Sequence, residues 1–288
     1  MRRPVIFHCL RHSLLLAGLA SFALGAETPS APELDRLYQQ GRAHLRGEGV
    51  PPNPALALEP LRQAAEAGHA KAQTELGVMY FQGKGVTLDL PSAFVWFEKA
   101  AAQGDSVAQT NLGWMKFTGT GAPKNLMEAA RWYRLAAEAG QTEAQARLGD
   151  LLYKGLDDAQ RNYPEAAKWL RSAAEKGVAG TQNSLGVLYE NGLGVPKDPV
   201  EAVKWFRAAA EQGEPRGQMN LGRAYEIGLG MPFDPVEACR WLTLSARQGE
   251  IGATKFLQDI QLKHRVTARQ VAEGEKRANE DLAHTGRD

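Results

Sequence analysis

The stretch that decides the fold is residues 179–214, AGTQNSLGVLYENGLGVPKDPVEAVKWFRAAAEQGE. Its first half carries Leu185-Gly186 in a helical pattern that stops at Gly192, and glycine pays no Cβ penalty in the left-handed conformation that commonly ends a helix. Its second half starts at Asp198, whose carboxylate can accept a bond from a free backbone N–H at the start of a helix. The stretch therefore predicts two short helices joined by a glycine loop.

This unit is repeated along the chain at intervals of 36 or 37 residues. The Leu-Gly pair recurs at Leu76-Gly77, Leu112-Gly113, Leu148-Gly149, Leu185-Gly186 and Leu221-Gly222. Gly41 stands one period earlier without its leucine, and Pro60 takes the place of the tryptophan that each later unit has, so the first unit is degenerate. A period of this length is typical of a repeat protein built from helix pairs. We expect an all-α solenoid of six repeats over residues 32–250, followed by a C-terminal helical cap and tail over 251–288.

Each unit shows where its two helices begin and end. In the second unit the pattern predicts a first helix from Ala70 to Gln82. Each second helix has an Asp or Asn at its predicted N-cap: Asn53, Asp89, Asn125, Asn162, Asp198 and Asp234. In four units a glutamate three residues later predicts a reciprocal capping box: Glu128, Glu165, Glu201 and Glu237. We expect the tryptophan of each second helix to fill the core beside an alanine pair, such as Ala208 and Ala209 after Trp205.

The N-terminus has the layout of a secretory signal peptide. Three arginines, at 2, 3 and 11, accompany an apolar, uncharged run from Ser13 to Gly25, and small residues then offer cleavage spacing. A membrane anchor is the alternative, but the run is shorter than the roughly 20 residues that a spanning helix needs. We expect cleavage after residues 1–26, a disordered lead at 27–31, and a periplasmic or secreted bacterial protein with no stable membrane insertion.

Charge and cysteine content exclude several classes of function. Without residues 1–26 the chain keeps 31 basic and 33 acidic residues, a net charge of −2. That balance gives no footprint for nucleic acid and no polybasic patch for a membrane surface. One cysteine, Cys239, remains; its counterparts in the other units are apolar, so we expect a buried, unreactive thiol.

The order of motifs resembles the Sel1-like repeat family, a branch of the tetratricopeptide-type α-solenoids. The resemblance rests on Leu-Gly, Tyr, Gly-x-Gly-Val, Asp-Pro, Ala-x-x-Trp-Phe and Ala-Ala-Glu-x-Gly, which residues 179–214 match throughout. Two units depart from it, with Lys116 and Leu152 in place of tyrosine. The resemblance implies a right-handed superhelix whose concave groove holds another protein. Many bacterial members are exported and serve the cell envelope or host contact.

The residues give no catalytic pattern. The four histidines of the predicted mature chain lack metal-ligand spacing, and the Ser-x-x-Lys and Lys-Thr-Gly motifs of serine β-lactamases are absent. We expect no catalytic residue, no metal and no cofactor. A glutamine precedes each Leu-Gly pair by three residues, and we expect it to bond a turn backbone rather than a ligand, because it does not vary.

Variable positions on the first helix are the candidates for binding. They lie three residues before and one residue after the glycine of the Leu-Gly pair, opposite the packing face. In the tetratricopeptide family the matching positions line the groove. The candidates are Thr110, Trp114, Asp150, Asn183, Met219 and Arg223.

These observations favour an exported, non-catalytic scaffold that binds a protein or peptide in its groove. Two alternatives stay open: a cell-wall or polysaccharide hydrolase, which would need paired carboxylates in the groove, and a carbohydrate-binding protein that stacks a sugar on Trp114.

Overall fold

A computed structural model of the chain describes residues 29–156, 161–262 and 266–285. These residues form fourteen α-helices and no β-strand: twelve are the helix pairs that the six repeats predict, and two form the C-terminal extension. The helices are α1 (Ala31–Arg46), α2 (Pro54–Glu66), α3 (Ala70–Gln82), α4 (Leu90–Ala102), α5 (Ser106–Thr118), α6 (Leu126–Glu138), α7 (Thr142–Lys154), α8 (Tyr163–Ala174), α9 (Ala179–Asn191), α10 (Pro199–Glu211), α11 (Pro215–Ile227), α12 (Pro235–Arg247), α13 (Ile251–Leu262) and α14 (Ala268–Thr285). Odd numbers up to α11 are the first helices of the six units, and even numbers up to α12 are the second helices.

The predicted signal peptide, residues 1–26, lies outside the described residues. Of the lead predicted at 27–31, Pro29 and Ser30 precede α1, which already begins at Ala31. Among the described helices none is long and apolar enough to cross a membrane.

All six predicted N-caps are confirmed. Each cap side chain accepts a bond from a backbone N–H of the first turn, as Asn125 does from Glu128. The reciprocal bond of the capping box, in which the glutamate side chain accepts from the backbone N–H of the cap residue, was wrongly predicted. The backbone N–H of Asn125 donates to the carbonyl of Lys116 at 2.8 Å, at the end of the preceding first helix. The cap N–H already has an acceptor, and Glu128 pairs instead with the Lys116 ammonium.

Glycine ends the first helices in the expected way, with one exception. Gly83, for example, has φ 65° and ψ 29° in the left-handed region. In the fourth unit Gly155 has φ 95° and ψ 151°, outside that region. This is the unit whose loop carries one extra residue, so the chain leaves α7 in another direction there.

The core of each unit is centred on the residue after the tryptophan position. The tryptophan itself is buried, as expected, at Trp169 and Trp241, whereas in the other three units it is only partly buried, which corrects the sequence expectation there. Phe206 is fully buried, and a Cβ on Gly186 would lie 2.6 Å from its ring. Trp205 is only partly buried and packs against the core cluster of the preceding units. The buried alanine pair is Ala209 and Ala210, one residue later than expected. Adjacent residues on a helix point 100° apart, so the periodicity alone did not separate them.

The glutamine that stands three residues before each Leu-Gly pair has a structural role, as expected. We call these equivalent positions of successive units the glutamine column. The side chain of Gln73 donates from Nε2 to the carbonyl of Ala65 at 2.9 Å and accepts from Gln103 at 2.8 Å. The same bond to an alanine carbonyl eight residues earlier is made by Gln109, Gln145, Gln182 and Gln218. The column therefore ties the end of one unit to the start of the next.

The first helices form the inner layer of the solenoid. Adjacent first helices approach each other in the C-terminal half, α7 with α9, α9 with α11 and α11 with α13, whereas the second helices of successive repeats are farther apart. A layer whose members are closer together lies on the inside of the curve. We call the side of the first helices that faces away from the second helices the inner face.

Candidate functional site

Thr110 and Trp114 lie on the inner face of α5, and neither is fully exposed. The Thr110 hydroxyl donates to the carbonyl of Ser106 at 2.8 Å, inside its own helix. The Trp114 ring meets Phe81 of α3 edge to face, with ring centres 5.4 Å apart and planes at 86°. Trp114 also contacts the two core clusters on either side of α5. It therefore joins adjacent units and contributes to both the inner face and the packing beneath it.

Asp150 and Asn183 face the next first helix along the solenoid. Burial raises the pKa of Asp150, an effect that the nearby cations Lys154 and Arg147 and the Ser184 hydroxyl of α9 oppose. Asn183 is buried, and its side-chain carbonyl accepts a bond from Asn220 of α11 at 2.7 Å. Both polar groups are thus held between helices.

Met219 and Arg223 complete the candidate set on α11. Met219 packs against α13 at Gly252. Arg223 forms an ion pair with Glu190 of α9. All the candidates except Thr110 therefore contact the adjacent odd-numbered helix. The sequence pattern of a single unit could not predict these contacts, because they join different units.

Two groups on the inner face escaped the sequence reasoning. The first is apolar and lies on α3 and α5: Trp114 of α5 contacts Phe81 of α3, and Val107 and Phe117 are exposed on the same helix as Trp114. We call these four residues the apolar patch. The sequence could have predicted this group. Val107 stands six residues before Gly113, and so about two helical turns before Trp114, which puts the two side chains on the same face.

The second group is charged and lies on α7. Arg147 bonds Glu143 at 2.7 Å, and both side chains are exposed. These two charges act on the hydroxyl of Tyr133, which is buried and makes no hydrogen bond within the described residues. Burial raises the pKa of this tyrosine.

The described residues hold no group of three His, Cys, Asp or Glu side chains arranged for a metal ion. Cys239 is buried, as expected, and burial raises the pKa of its thiol to about 11. At neutral pH its nucleophilic thiolate is therefore scarce.

Comparison with known proteins places the repeats in a family. The model described as "Sel1 repeat" matches six consecutive segments, at residues 37–69, 70–105, 106–141, 142–178, 180–214 and 215–250. The matched segments cover most of the chain and coincide with the six helix pairs.

Solved structures show the same fold. A protective antigen of uropathogenic Escherichia coli strains, c5321, displays an SLR fold; it is 32% identical with a TM-score of 0.72, over 86% of this chain and 54% of that one. A Sel1 repeat protein from Oxalobacter formigenes is 35% identical with a TM-score of 0.67, over 80% of this chain and 88% of that one. Among curated proteins, the uncharacterised protein NMB1327 of Neisseria meningitidis is 49% identical over 47 residues, which are 16% of this chain and 10% of that protein. This chain thus spans about half of c5321 and a tenth of NMB1327.

Proposed function

Because the chain belongs to the Sel1 repeat family, whose members generally mediate protein–protein interaction, we propose that it is an exported scaffold that binds a protein segment along its inner face. Stacked repeats present one continuous surface of this kind, and its curvature suits an extended ligand. The observation that carries the proposal is the joint presence of the apolar patch and the charged group of α7 on that face.

The chemistry of the inner face suggests the kind of segment it takes. The apolar patch offers aromatic and aliphatic surface, and aromatic residues are enriched where proteins bind one another. Beyond it along the solenoid lie Glu143, Arg147 and Lys154 on α7, with Arg216 and the Arg223–Glu190 pair farther on. A segment with apolar residues at one end and charged residues at the other matches this order.

Catalysis finds little support on the same face. The groups around Asp150 are cations, Lys154, Arg147 and Arg216, rather than the second carboxylate that glycoside hydrolysis needs. Glu143 is bonded to Arg147. A sugar-binding platform would need a free aromatic face, and Trp114 is partly buried against Phe81 and the core. Sel1 repeat proteins are typically non-catalytic scaffolds, and we extend that role to this chain.

A charge reversal tests the inner face with a matched control. Arg147 and Arg62 each expose 49% of their side chain, and each pairs with a glutamate on its own helix. Arg147→Glu changes the inner face, while Arg62→Glu changes α2 on the outer layer. With the partner captured from a bacterial envelope extract by the full chain, we expect Arg147→Glu to weaken binding at least about tenfold. Equal affinities of the two variants and the parent chain would argue against the inner face.

Export is the second part of the proposal, and it rests on the arginine-flanked apolar run before residue 27. N-terminal sequencing of the protein from the periplasmic fraction should begin near Ala26 or Glu27. Recovery from the cytoplasm with Met1 in place would contradict export and leave the binding proposal standing.

A further inference from the structure

The C-terminal end of the solenoid departs from the repeat at one position. Gln258 of α13 stands 36 residues after Gly222, where the regular units have glycine. A Cβ at Gly222 would lie 2.8 Å from Leu242, and one at Gly186 would lie 2.6 Å from Phe206. A side chain at 258 therefore prevents a further helix from packing on α13 as second helices pack on α3 to α11.

The last helix, α14, packs on α12 instead. Gly274 allows the approach, since a Cβ there would lie 2.5 Å from the Cβ of Cys239. Arg240 donates to both carboxylate oxygens of Asp281, at 2.7 and 2.9 Å, and Arg277 pairs with Glu237 at 2.9 Å. The helix is thus fixed to the outer layer by a close contact and by ion pairs.

This arrangement leaves a cavity of about 750 Å³, open to solvent on one side, between α14, α12 and the end of α10. Its apolar lining includes Trp241 and Leu244, which are 7% and 5% exposed, together with Leu282 of α14. The indole N–H of Trp241 has no acceptor among the described residues. The volume falls within the range of small-molecule sites, and the cavity lies on the outer layer, away from the inner face.

The polar lining of the cavity is rich in donors. It includes Arg247, Gln248, Asn279 and His284, with Glu211 as the acid that has no arginine bonded to it. Arg240 is already neutralised by Asp281 and Glu237. No carboxylate of the described residues forms an ion pair with Arg247, which leaves its positive charge available.

Residues of the sixth unit that line the cavity differ from those at the same repeat positions in other units. In four other units the position of Arg247 is glutamate: Glu66, Glu138, Glu175 and Glu211. The position of Leu244 is polar in three units, with Gln63, Lys99 and Ser172, and apolar in the other two, with Leu135 and Ala208. The sixth unit therefore combines a reversed charge with an apolar side chain at the same cavity.

The geometry points to a second binding site, in the cavity under α14, for a small organic anion with an apolar body. The body packs against Leu282 and against the small part of Trp241 and Leu244 that remains exposed in the cavity, which removes that apolar surface from water. The anionic head, a carboxylate or a sulfonate, accepts bonds from Arg247 and from the amide of Asn279. This site is independent of the proposed function, because none of its residues lies on the inner face.

The test uses two probes of this chemistry on the full chain. The first is 8-anilinonaphthalene-1-sulfonate, followed by its fluorescence, and the second is dodecanoate, which should displace it where dodecan-1-ol does not. We expect one dye per chain. Arg247→Glu, which restores the residue of the other units, should weaken dye binding at least about tenfold. Leu244→Gln, the residue of the first unit, should weaken it likewise.

Two controls make the outcome decisive. Arg36→Glu makes the same charge change on an exposed residue of α1 and should leave the dissociation constant within about twofold. Arg147→Glu on the inner face should also leave it unchanged, which separates this site from the proposed function. The inference is overturned if Arg247→Glu and Leu244→Gln bind the dye as the parent chain does, if dodecanol competes as well as dodecanoate, or if neither probe binds at millimolar concentration.

Discussion

At the scale of single residues, the repeat places side chains by column, and the exceptions within a column carry information. Tyr133 stands where other units have phenylalanine or leucine, and its buried hydroxyl has no hydrogen-bond partner among the described residues. Asp150 stands at a variable position, where two other units have valine, two have arginine and one has tryptophan, and it is largely withdrawn from water. Buried polar groups of this kind cost stability, so these positions are candidates for a role other than folding.

The Asp150 carboxylate gives a pH-dependent prediction. Burial raises its pKa in the folded chain, so the charged form is disfavoured there relative to the unfolded chain. The penalty is present at neutral pH and disappears as the pH falls below both values, where the carboxyl is neutral in both states. Asp150→Asn should therefore raise the melting temperature by about 2–4 °C near pH 7, the shift that roughly 1 kcal/mol gives in a chain of this size.

Thermal unfolding followed by circular dichroism at about pH 7 and at about pH 3 measures this. The gain should vanish at the lower pH. A gain of the same size at both values would mean that the effect comes from packing and not from the charge.

Two adjacent aromatic residues separate core from periphery. Phe206 is fully buried over Gly186, whereas Trp205 is partly buried between units. Phe206→Ala should cost roughly 3–5 kcal/mol of unfolding free energy, the usual range for emptying a buried aromatic site. Trp205→Ala should cost clearly less, although tryptophan is the larger residue. Urea denaturation of both variants would show the order, and the reverse order would return the tryptophan column to the centre of the core.

At the scale of helices, each pair packs because one glycine lets the second helix come close. The ring of Phe206 lies where a Cβ of Gly186 would be, and the carbonyl of Ala202 lies 3.1 Å from that position. Glycine inside a helix usually costs about 0.5–1 kcal/mol relative to alanine. Here the close contact between Gly186 and Phe206 outweighs that cost, because it allows α10 to pack closely on α9.

A pair of substitutions in one helix tests this point. Gly186→Ala should destabilise the chain by about 1–3 kcal/mol, because the new methyl group overfills the contact with Phe206. Gly180→Ala, in the same helix α9, meets nothing within 4 Å and should be neutral or stabilising by up to about 1 kcal/mol. Calorimetry of both variants gives the comparison. A stabilising Gly186→Ala would show that the two helices are not held by close packing at this glycine.

How far the sequence predicts these elements depends on how local the interaction is. Caps and helix ends were predictable, because Asp89 and Gly83 act on the backbone within one turn. The glutamine bond was predictable in kind, because a side chain that repeats in five units must serve the repeat itself. The contacts of Trp114 with Phe81 and of Asn183 with Asn220 were not, because they join residues more than 30 positions apart and depend on the angle between units.

At the scale of the whole molecule, the chain has a series of overlapping cores rather than a single one. One cluster is built from α1 to α4, the next from α3 to α6, and a third from α5 to α10. Each unit is therefore stabilised by its neighbours, and the two ends are special. At the C-terminal end Gln258 stops the series and α14 closes it, which produces the cavity beside Arg247. The repeats thus build the inner face, and the departure from them builds the second site.

The claim that the inner face holds the protein partner is tested most directly by photo-crosslinking from two matched positions. Val107 lies on the inner face of α5 and is 45% exposed, and Val95 lies on α4 in the outer layer and is 46% exposed. Each is replaced in turn by a photoreactive amino acid, and the chain is irradiated in bacterial cells that express it. If the partner lies on the inner face, a discrete crosslinked protein forms from position 107 and none from position 95. The same product from both positions, or a product from position 95 alone, would contradict it.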